Sequence, residues 1–385
     1  MVYNNYKGGR KHIVFGRIIG NSLGQIRSLG EAGLNPVLVW VGNDSSVLRN
    51  SKYLSEIHTF STIQEGIDFL LSSFADTKIK HVLTIDSDGI VAEINKQYSE
   101  LSKYFYFFNA GEDNRLTKMM GKESLCNLAK KHGLLVPVSE IVALGELPKK
   151  VTYPLLTKAV DSFTASWKTQ CRICEDEGDL MNLYKTLDAN IILLQNYIQK
   201  KNEFVLQGIA INAGKDVFIP IEGSYFRIPD GYFGSYLYFN GITKTGERLI
   251  KPVKSMLAEI GYEGIFEVEF IIDKEGNYIF LEINFRHTLW NHAFSNMGLN
   301  FCKIWSDAII NNKFPLTQSI SIEKRHVLIH EFVDFLWYAK SRKVNIFKWI
   351  LQFLGADSYV IWDRHDVKPF ITYLKKIIKN KLRLC

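Results

Sequence analysis

Residues 265–272 read IFEVEFII and residues 279–286 read IFLEINFR, with DKEGNY between them. The connecting residues 273–277 are rich in turn formers, so the two stretches predict a β-hairpin. One register gives both faces a meaning. It pairs Phe266 with Phe285, Val268 with Ile283, Phe270 with Leu281 and Ile272 with Ile279. That face is wholly apolar and belongs on a core, because side chains alternate across a strand. The other face pairs Glu269 with Glu282 and Glu267 with Asn284, with Arg286 close by. A slip of one residue would turn one strand over and destroy both faces, so the register is well specified.

The polar face carries the functional signal. Directly opposed side chains sit about 4.5–5.5 Å apart, and like charges there destabilise the pair. Folding by itself gives no reason to gather three carboxylates at one end of a hairpin, and a cation would resolve their repulsion. Two Glu carboxylates and an Asn carbonyl are hard oxygen ligands, which suit magnesium better than zinc. A solvated face of unrelated charges is the alternative reading of this stretch alone.

The 385 residues allow two or three domains with real cores. Apolar residues make up 46% and charged residues 23%, the balance of a globular protein. No stretch approaches the roughly 18 uninterrupted apolar residues of a spanning helix. The N-terminus has no signal-peptide pattern, and five cysteines without framework spacing fit a reducing cytoplasm. The net charge of +7 suits a cleft that handles phosphates and carboxylates. No basic stripe interleaved with aromatics points to nucleic acid. Cys171 and Cys174 form a C-x-x-C, but the segment reads as a strand that points the thiols to opposite faces, so no metal or redox pair is expected.

Working outward, a strand at residues 12–15 is followed by Gly16, Gly20 and Gly24, then a helical stretch to Gly33 and a second strand at 36–41, a β-α-β opening. The spacing is not G-x-G-x-x-G and no acid ends the second strand, so a dinucleotide site is not supported. HVLTID (81–86) and YFYFF (104–108) complete a small α/β unit. Lys122 opens an amphipathic helix that Gly133 stops. YPLLTKAV (153–160) is an apolar strand with one cation, Lys158, which needs an anionic partner if buried. IILLQNYI (191–198) is another apolar strand. Residues 222–241 are dense in aromatics and glycine and read as a surface facing a second substrate, or a β-edge near it. From about residue 320, EFVDFLWYAK and IFKWILQFL show helical rhythm, and FITYLKKIIKNKLRLC closes with a basic amphipathic pattern.

Glu269, Glu282-Ile283-Asn284 and Arg286 together resemble the magnesium site of the ATP-grasp superfamily. The likeness spans roughly residues 122–311. It implies an α/β and α+β architecture: a Rossmann-like α/β domain at 1–118, an ATP-grasp domain of two α+β subdomains at 119–318, and a helical extension with a basic tail at 319–385. It implies that Lys122 and Lys158 approach the ATP phosphates. By the same likeness Gln195, Asn196, Tyr197 and Ile198 form the adenine hinge, and Glu203 binds the ribose. Glu269, Glu282 and Asn284 would hold Mg2+, with Mn2+ as the second candidate. Arg286 would help neutralise the phosphate charge; Arg227, within the aromatic stretch, is read as clamping a carboxylate or a developing phosphate charge, or as a structural residue stacked on Tyr or Phe. Residues 161–168, DSFTASWK, stand where the family has a glycine-rich phosphate-covering loop; they contain no Gly, and Lys168 would supply charge instead. His287 and His292 are read as structural or substrate-contacting residues.

The implied activity joins a carboxylate to an amine through an acyl phosphate, at the expense of ATP. The stretch LEINFRHTLWNHAFSNMGLN (281–300) is most similar to carboxylate–amine ligases related to D-aspartate ligase. The ending WDRHDVKPF (362–370) loosely resembles grasp proteins of cell-surface polysaccharide synthesis, so an amino acid or a uronic acid is the expected carboxylate. The rival readings are a biotin carboxylase or carbamoyl-phosphate type of enzyme, and a catalytically inactive nucleotide-binding scaffold. The expected partners are small molecules, not nucleic acid, with a homodimer left open. The expected location is the cytoplasm, with contact at the inner membrane face through the basic terminal helix as a further reading.

Overall fold

A computed structural model of the chain describes residues 9–75, 78–160, 171–229, 234–315, 322 and 324–382. The first sheet comprises β1 (His12–Gly16), β2 (Val37–Val41), β3 (Glu56–Phe60), β4 (His81–Ile85) and β5 (Phe105–Tyr106). All its strands are parallel, in the order β3-β2-β1-β4-β5. β2 and β4 are buried along their whole length, as continuous apolar runs are when helices cover both faces. β3, reading EIHTF, is a half-exposed edge strand that the apolar pattern does not mark.

Between β1 and β4 the strand order reverses, which is where parallel α/β sheets bind ligands. Here the chain fills that position itself. Asp86, fully buried, accepts bonds from the Arg17 N–H (3.0 Å), the Ile18 N–H (2.8 Å) and the Ser22 hydroxyl (2.7 Å) at the start of helix Ile19–Glu31. A helix N-terminus attracts an anion, and a carboxylate stands where a phosphate would. Burial pushes the Asp86 carboxyl up to about 6, against the pull of these bonds. Only glycine fits beneath it: a Cβ on Gly16 would lie 1.9 Å from Ser22 Oγ and 2.8 Å from Asp86 Oδ2.

The second sheet has seven strands in the order β14-β13-β10-β11-β12-β15-β16. Its members are β10 (Lys200–Ile211), β11 (Asp216–Arg227), β12 (Tyr236–Gly241), β13 (Gly264–Asp273), β14 (Tyr278–Asn284), β15 (His326–Ile329) and β16 (Ser358–Tyr359). The third is antiparallel, ordered β6-β9-β7-β8, from β6 (Ser139–Ala143), β7 (Leu155–Lys158), β8 (Arg172–Cys174) and β9 (Ile191–Asn196). One continuous core underlies the first two sheets, whereas the third has its own small core around Leu155, Leu180, Ile192 and Leu194. The small sheet therefore stands apart as a lobe over the large one. The C-terminal part is helical, and it also contributes β15 and β16 to the large sheet. The two strands that the aromatic stretch 222–241 contributes, β11 and β12, both lie inside the sheet and not at its edge.

The hairpin forms with Glu267 opposite Asn284, Val268 opposite Ile283 and Glu269 opposite Glu282, as expected. Beyond Glu269 the register shifts: Phe270 pairs with Phe280 and Ile272 with Tyr278, not with Leu281 and Ile279. A β-bulge at Leu281 causes the difference, since one extra residue re-aims the strand. Phe280 enters the core and Leu281 turns to the opposite face. Gly16→Ala should cost about 1–3 kcal/mol by overpacking. A denaturant midpoint equal to that of the native chain would rule out this account of the Asp86 turn.

Candidate active site

The carboxylate face of the hairpin is continued by β10, which sets Gln207 opposite Glu267, Val205 opposite Glu269 and Glu203 opposite Ile271. Glu267 is buried and held on three sides. Gln207 donates to it, Thr288 Oγ1 lies 3.3 Å from it, and Asn284 Nδ2 lies 3.3 Å away. Asn284 Nδ2 also donates to Glu269 Oε1 at 2.6 Å. The amide nitrogen thus occupies the space between two carboxylates. Rotation of that amide, whose orientation is set only by its neighbours, would put its carbonyl there instead. Among the described residues the Glu282 side chain, directly across from Glu269, makes no hydrogen bond or ion pair.

The electrostatics match this crowding. Burial first, then the charges of Glu282, Glu267 and Glu203, push the Glu269 carboxyl well above the usual range. Burial pushes Glu267 up to about 7, although Arg286 opposes it. Glu267 was one of the three carboxylates evident in the sequence, yet its network marks it as the group that positions the others. Buried carboxylates that repel one another are poor for stability and well suited to a hard cation.

Across the cleft stand the cations. Lys158, on β7 of the small lobe, donates to Gln195 Oε1 at 2.8 Å. Lys122, first residue of helix Lys122–Lys131, lies 3.4 Å from the Ala159 carbonyl. Burial, and then the neighbouring Lys122 charge, lower the Lys158 amine below its usual value. Neither lysine has an acidic partner within ion-pair distance among the described residues, so the pair forms a ready anion site.

Behind Lys158 lies a cavity of about 530 Å³, a size suited to a small ligand. Gln195, Asn196, Tyr197 and Ile198 line one wall, and Ile271 and Leu281 line the other. The hinge residues thus face the cavity, but two of their backbone donors are engaged elsewhere. The Asn196 N–H bonds to the Val138 carbonyl (2.9 Å) and the Tyr197 N–H to the Pro154 carbonyl (3.0 Å), so neither donates to a base. Glu203 pairs with Lys200 at 2.6 Å beside this cavity. Ile271 and Leu281 escaped the sequence reading. The signal was present: three apolar residues in a row, Ile279-Phe280-Leu281, interrupt the alternation and betray the bulge. Cys171 lines the cavity while Cys174 is buried in the small core, so the thiols do point apart. Residues 161–168, including Lys168, lie outside the described residues.

Arg286 joins the N-terminal sheet to the cluster. Its Nε lies 2.9 Å from Asp88 Oδ2 and its Nη2 donates to Asn284 Oδ1 at 2.8 Å. Arg227 belongs elsewhere. Its guanidinium makes two bonds to buried Asp334 (2.8 and 2.7 Å) and one to Gln352 (2.7 Å), and it stacks on Tyr236. With its donors fixed in this network, Arg227 holds the C-terminal segment to β11 and does not serve as a reacting group. His287 and His292 are buried, and His292 pairs with Glu31 at 3.0 Å.

No protein-family model matches the chain, and no curated protein sequence matches it. Solved structures do. An L-amino acid ligase from Bacillus licheniformis aligns over 83% of this chain and 80% of its own, with 14% identity and a TM-score of 0.62. An N5-carboxyaminoimidazole synthetase from Staphylococcus aureus aligns over 90% and 88%, with 17% identity and a TM-score of 0.62. A biotin carboxylase from Campylobacter jejuni, solved with an ATP analogue, aligns over 83% and 75%, with 19% identity and a TM-score of 0.64. The chain has the ATP-grasp fold. The expected fold class is therefore borne out, at identities that speak to architecture alone.

Removing Arg227 leaves Asp334 buried and unpaired. Arg227→Ala should lower stability by about 3–5 kcal/mol. A full loss of turnover with an unchanged melting curve would return Arg227 to the reacting groups.

Proposed function

We propose that this ATP-grasp chain is an ATP-dependent carboxylate–amine ligase. The observation that carries the proposal is the meeting of opposite charges where the lobes face each other: Glu282, on the crowded carboxylate face of the large sheet, lies within electrostatic reach of Lys158 on the small lobe, and Lys122 joins Lys158 from a helix packed on the large core. That arrangement complements a metal-bound triphosphate and little else. Glu269, Glu282 and the Asn284 carbonyl would hold magnesium, and manganese fits the same oxygen set. Held there, the ion would offset the charge of the phosphates.

The residues of the chain supply the rest by position and charge. Lys158 and Lys122 would neutralise phosphate oxygens, with the phosphate replacing Gln195 as the partner of Lys158. Ile271 and Leu281 would pack on the base from one side and the hinge from the other, with Glu203 near the ribose. A substrate carboxylate oxygen attacks the γ-phosphorus, and the bond to the β-phosphate oxygen breaks to release ADP. An amine nitrogen then attacks the acyl carbon, the carbon–oxygen bond to phosphate breaks, and the amine proton leaves to solvent. Glu267 keeps Asn284 and Glu269 in place, while Arg286 fixes the cluster to Asp88 beside the first sheet. Amino acids are the first carboxylates and amines to screen, with uronic acids next. Bicarbonate belongs in the same screen because the biotin carboxylase likeness in fold is equally strong.

ADP release measured over a matrix of carboxylates and amines should show activity that needs both partners and magnesium. ADP release driven by bicarbonate alone would favour the carboxylase type, and no ATP binding at all would favour a scaffold. Glu282→Gln should lower turnover by at least about a hundredfold, as loss of an electrostatic group in a closed site does, with the fold intact.

The raised carboxyls also predict a pH response. Glu267 titrates at about 7 in the folded chain against an ordinary value of 4.5. The folded state therefore holds protons that the unfolded state has released, and in EDTA stability should fall as pH rises between these values. Magnesium should flatten the slope. Glu269→Gln, which removes one repelling charge, should raise metal-free stability at pH 8 by roughly 1 kcal/mol. A melting temperature that climbs across this range in EDTA would refute the charge account.

A further inference from the structure

The helix Ile346–Leu354 sits with the wrong side outward for a protein in water. Its inner side is fixed by polar and stacking contacts. Trp349 Nε1 donates to Asp334 at 2.8 Å, Gln352 accepts from Arg227 at 2.7 Å, and the Phe353 ring packs on Tyr359 at 4.9 Å. Its outer side is a stripe at helical spacing: Phe347 is 74% exposed, Leu351 71% and Leu354 70%, with Ile346 and Ile350 exposed beside them. The stripe cannot be hidden by rolling the helix, because that would break the bonds to the buried Arg227–Asp334 pair. Phe335 and Leu336, in the π-helical segment Phe335–Ala339, are exposed as well.

Charge decides what can cover it. Residues 335–356 contain Lys340, Arg342, Lys343 and Lys348 and no Asp or Glu. A second copy of the chain meeting this face through a two-fold axis would set like charges against like, which opposes association. An anionic bilayer complements both features, taking the apolar stripe into its interface and the cations at its phosphates. No helix of the described residues is long and apolar enough to cross a membrane, and nine residues span only about 13 Å. We infer that the Ile346–Leu354 helix and its basic flank form a docking surface for an anionic lipid bilayer, with the helix lying in the interface plane. The sequence pointed for this role to the terminal helix, Val367–Leu382. That helix packs on the chain through Phe370, against Phe332 and Trp362, and pairs Lys376 with Asp44, but it too leaves Ile371, Leu374 and Ile378 exposed.

The test is sedimentation of the full chain with vesicles of phosphatidylcholine mixed with phosphatidylglycerol, against phosphatidylcholine alone. The expected result is binding to the anionic vesicles only, weakening with salt. The double variant Phe347→Glu, Leu351→Glu should bind at least about tenfold more weakly, since it replaces two apolar anchors by charges. Its melting curve should match the native one, because both side chains are exposed. Lys343→Glu with Lys348→Glu should also weaken binding while leaving the apolar stripe intact. No binding to anionic vesicles at low salt, or equal binding by the apolar-stripe variant, would overturn the proposal. So would a dimer in light scattering that this variant dissolves.

Discussion

Carboxylates brought together on a buried sheet face must be stabilised by something other than water, and the rest of this structure is arranged around that need. Glu267 and Glu269 on β13 and Glu282 on β14 share one face of two adjacent strands. Burial holds Glu267 above the usual carboxylate range, and burial with the charges of its neighbours holds Glu269 there. Gln207, Thr288 and Asn284 give Glu267 hydrogen bonds that fix its geometry, but they do not remove its charge. The site is thus rigid and electrostatically unsatisfied. That combination suits a cation: the ligands are held in place, and the binding energy that folding leaves unused is available to the ion.

The two-core architecture turns this cluster into a cleft. Had the small sheet merged with the common core, Lys158 would face packed apolar side chains. Because it forms its own lobe, β7 can present a lysine to the space above the large sheet, where Lys122 joins it. Lys158 thus comes within electrostatic reach of Glu282 on the large sheet, with Lys122 beside it. The bulge at Leu281 serves the same space. It trades one strict cross-strand pair for an apolar side chain on the cleft side, directly after the acidic segment.

The N-terminal sheet takes a different part. Its switch point is filled by Asp86, so the position that binds phosphate in dinucleotide-binding domains is occupied by the chain's own carboxylate. What this sheet offers the cleft is Asp88, which holds Arg286 and through it Asn284. The C-terminal segment likewise serves the large sheet: β15 and β16 widen it, and Asp334 neutralises Arg227 at the end of β11. The same bonds hold the Ile346–Leu354 helix with its apolar side facing outward.

The sequence by itself determined the paired acidic face, because alternation along a strand assigns every residue to one of two sides and only one register satisfied both. It also placed Lys158 as the cation in an apolar strand, the start of a helix at Lys122, and the separation of Cys171 from Cys174. Tertiary structure alone decided the engagement of Arg227 by Asp334, the filling of the β1–β4 turn by Asp86, and the outward face of the Ile346–Leu354 helix. The physical reason is range. Periodicity reports which side of an element is apolar, but it does not say which distant element covers that side. Arg227 reads as a free cation until a partner 107 residues away is folded against it. A helix with an apolar stripe reads as a core helix until Trp349 and Gln352 anchor the opposite side.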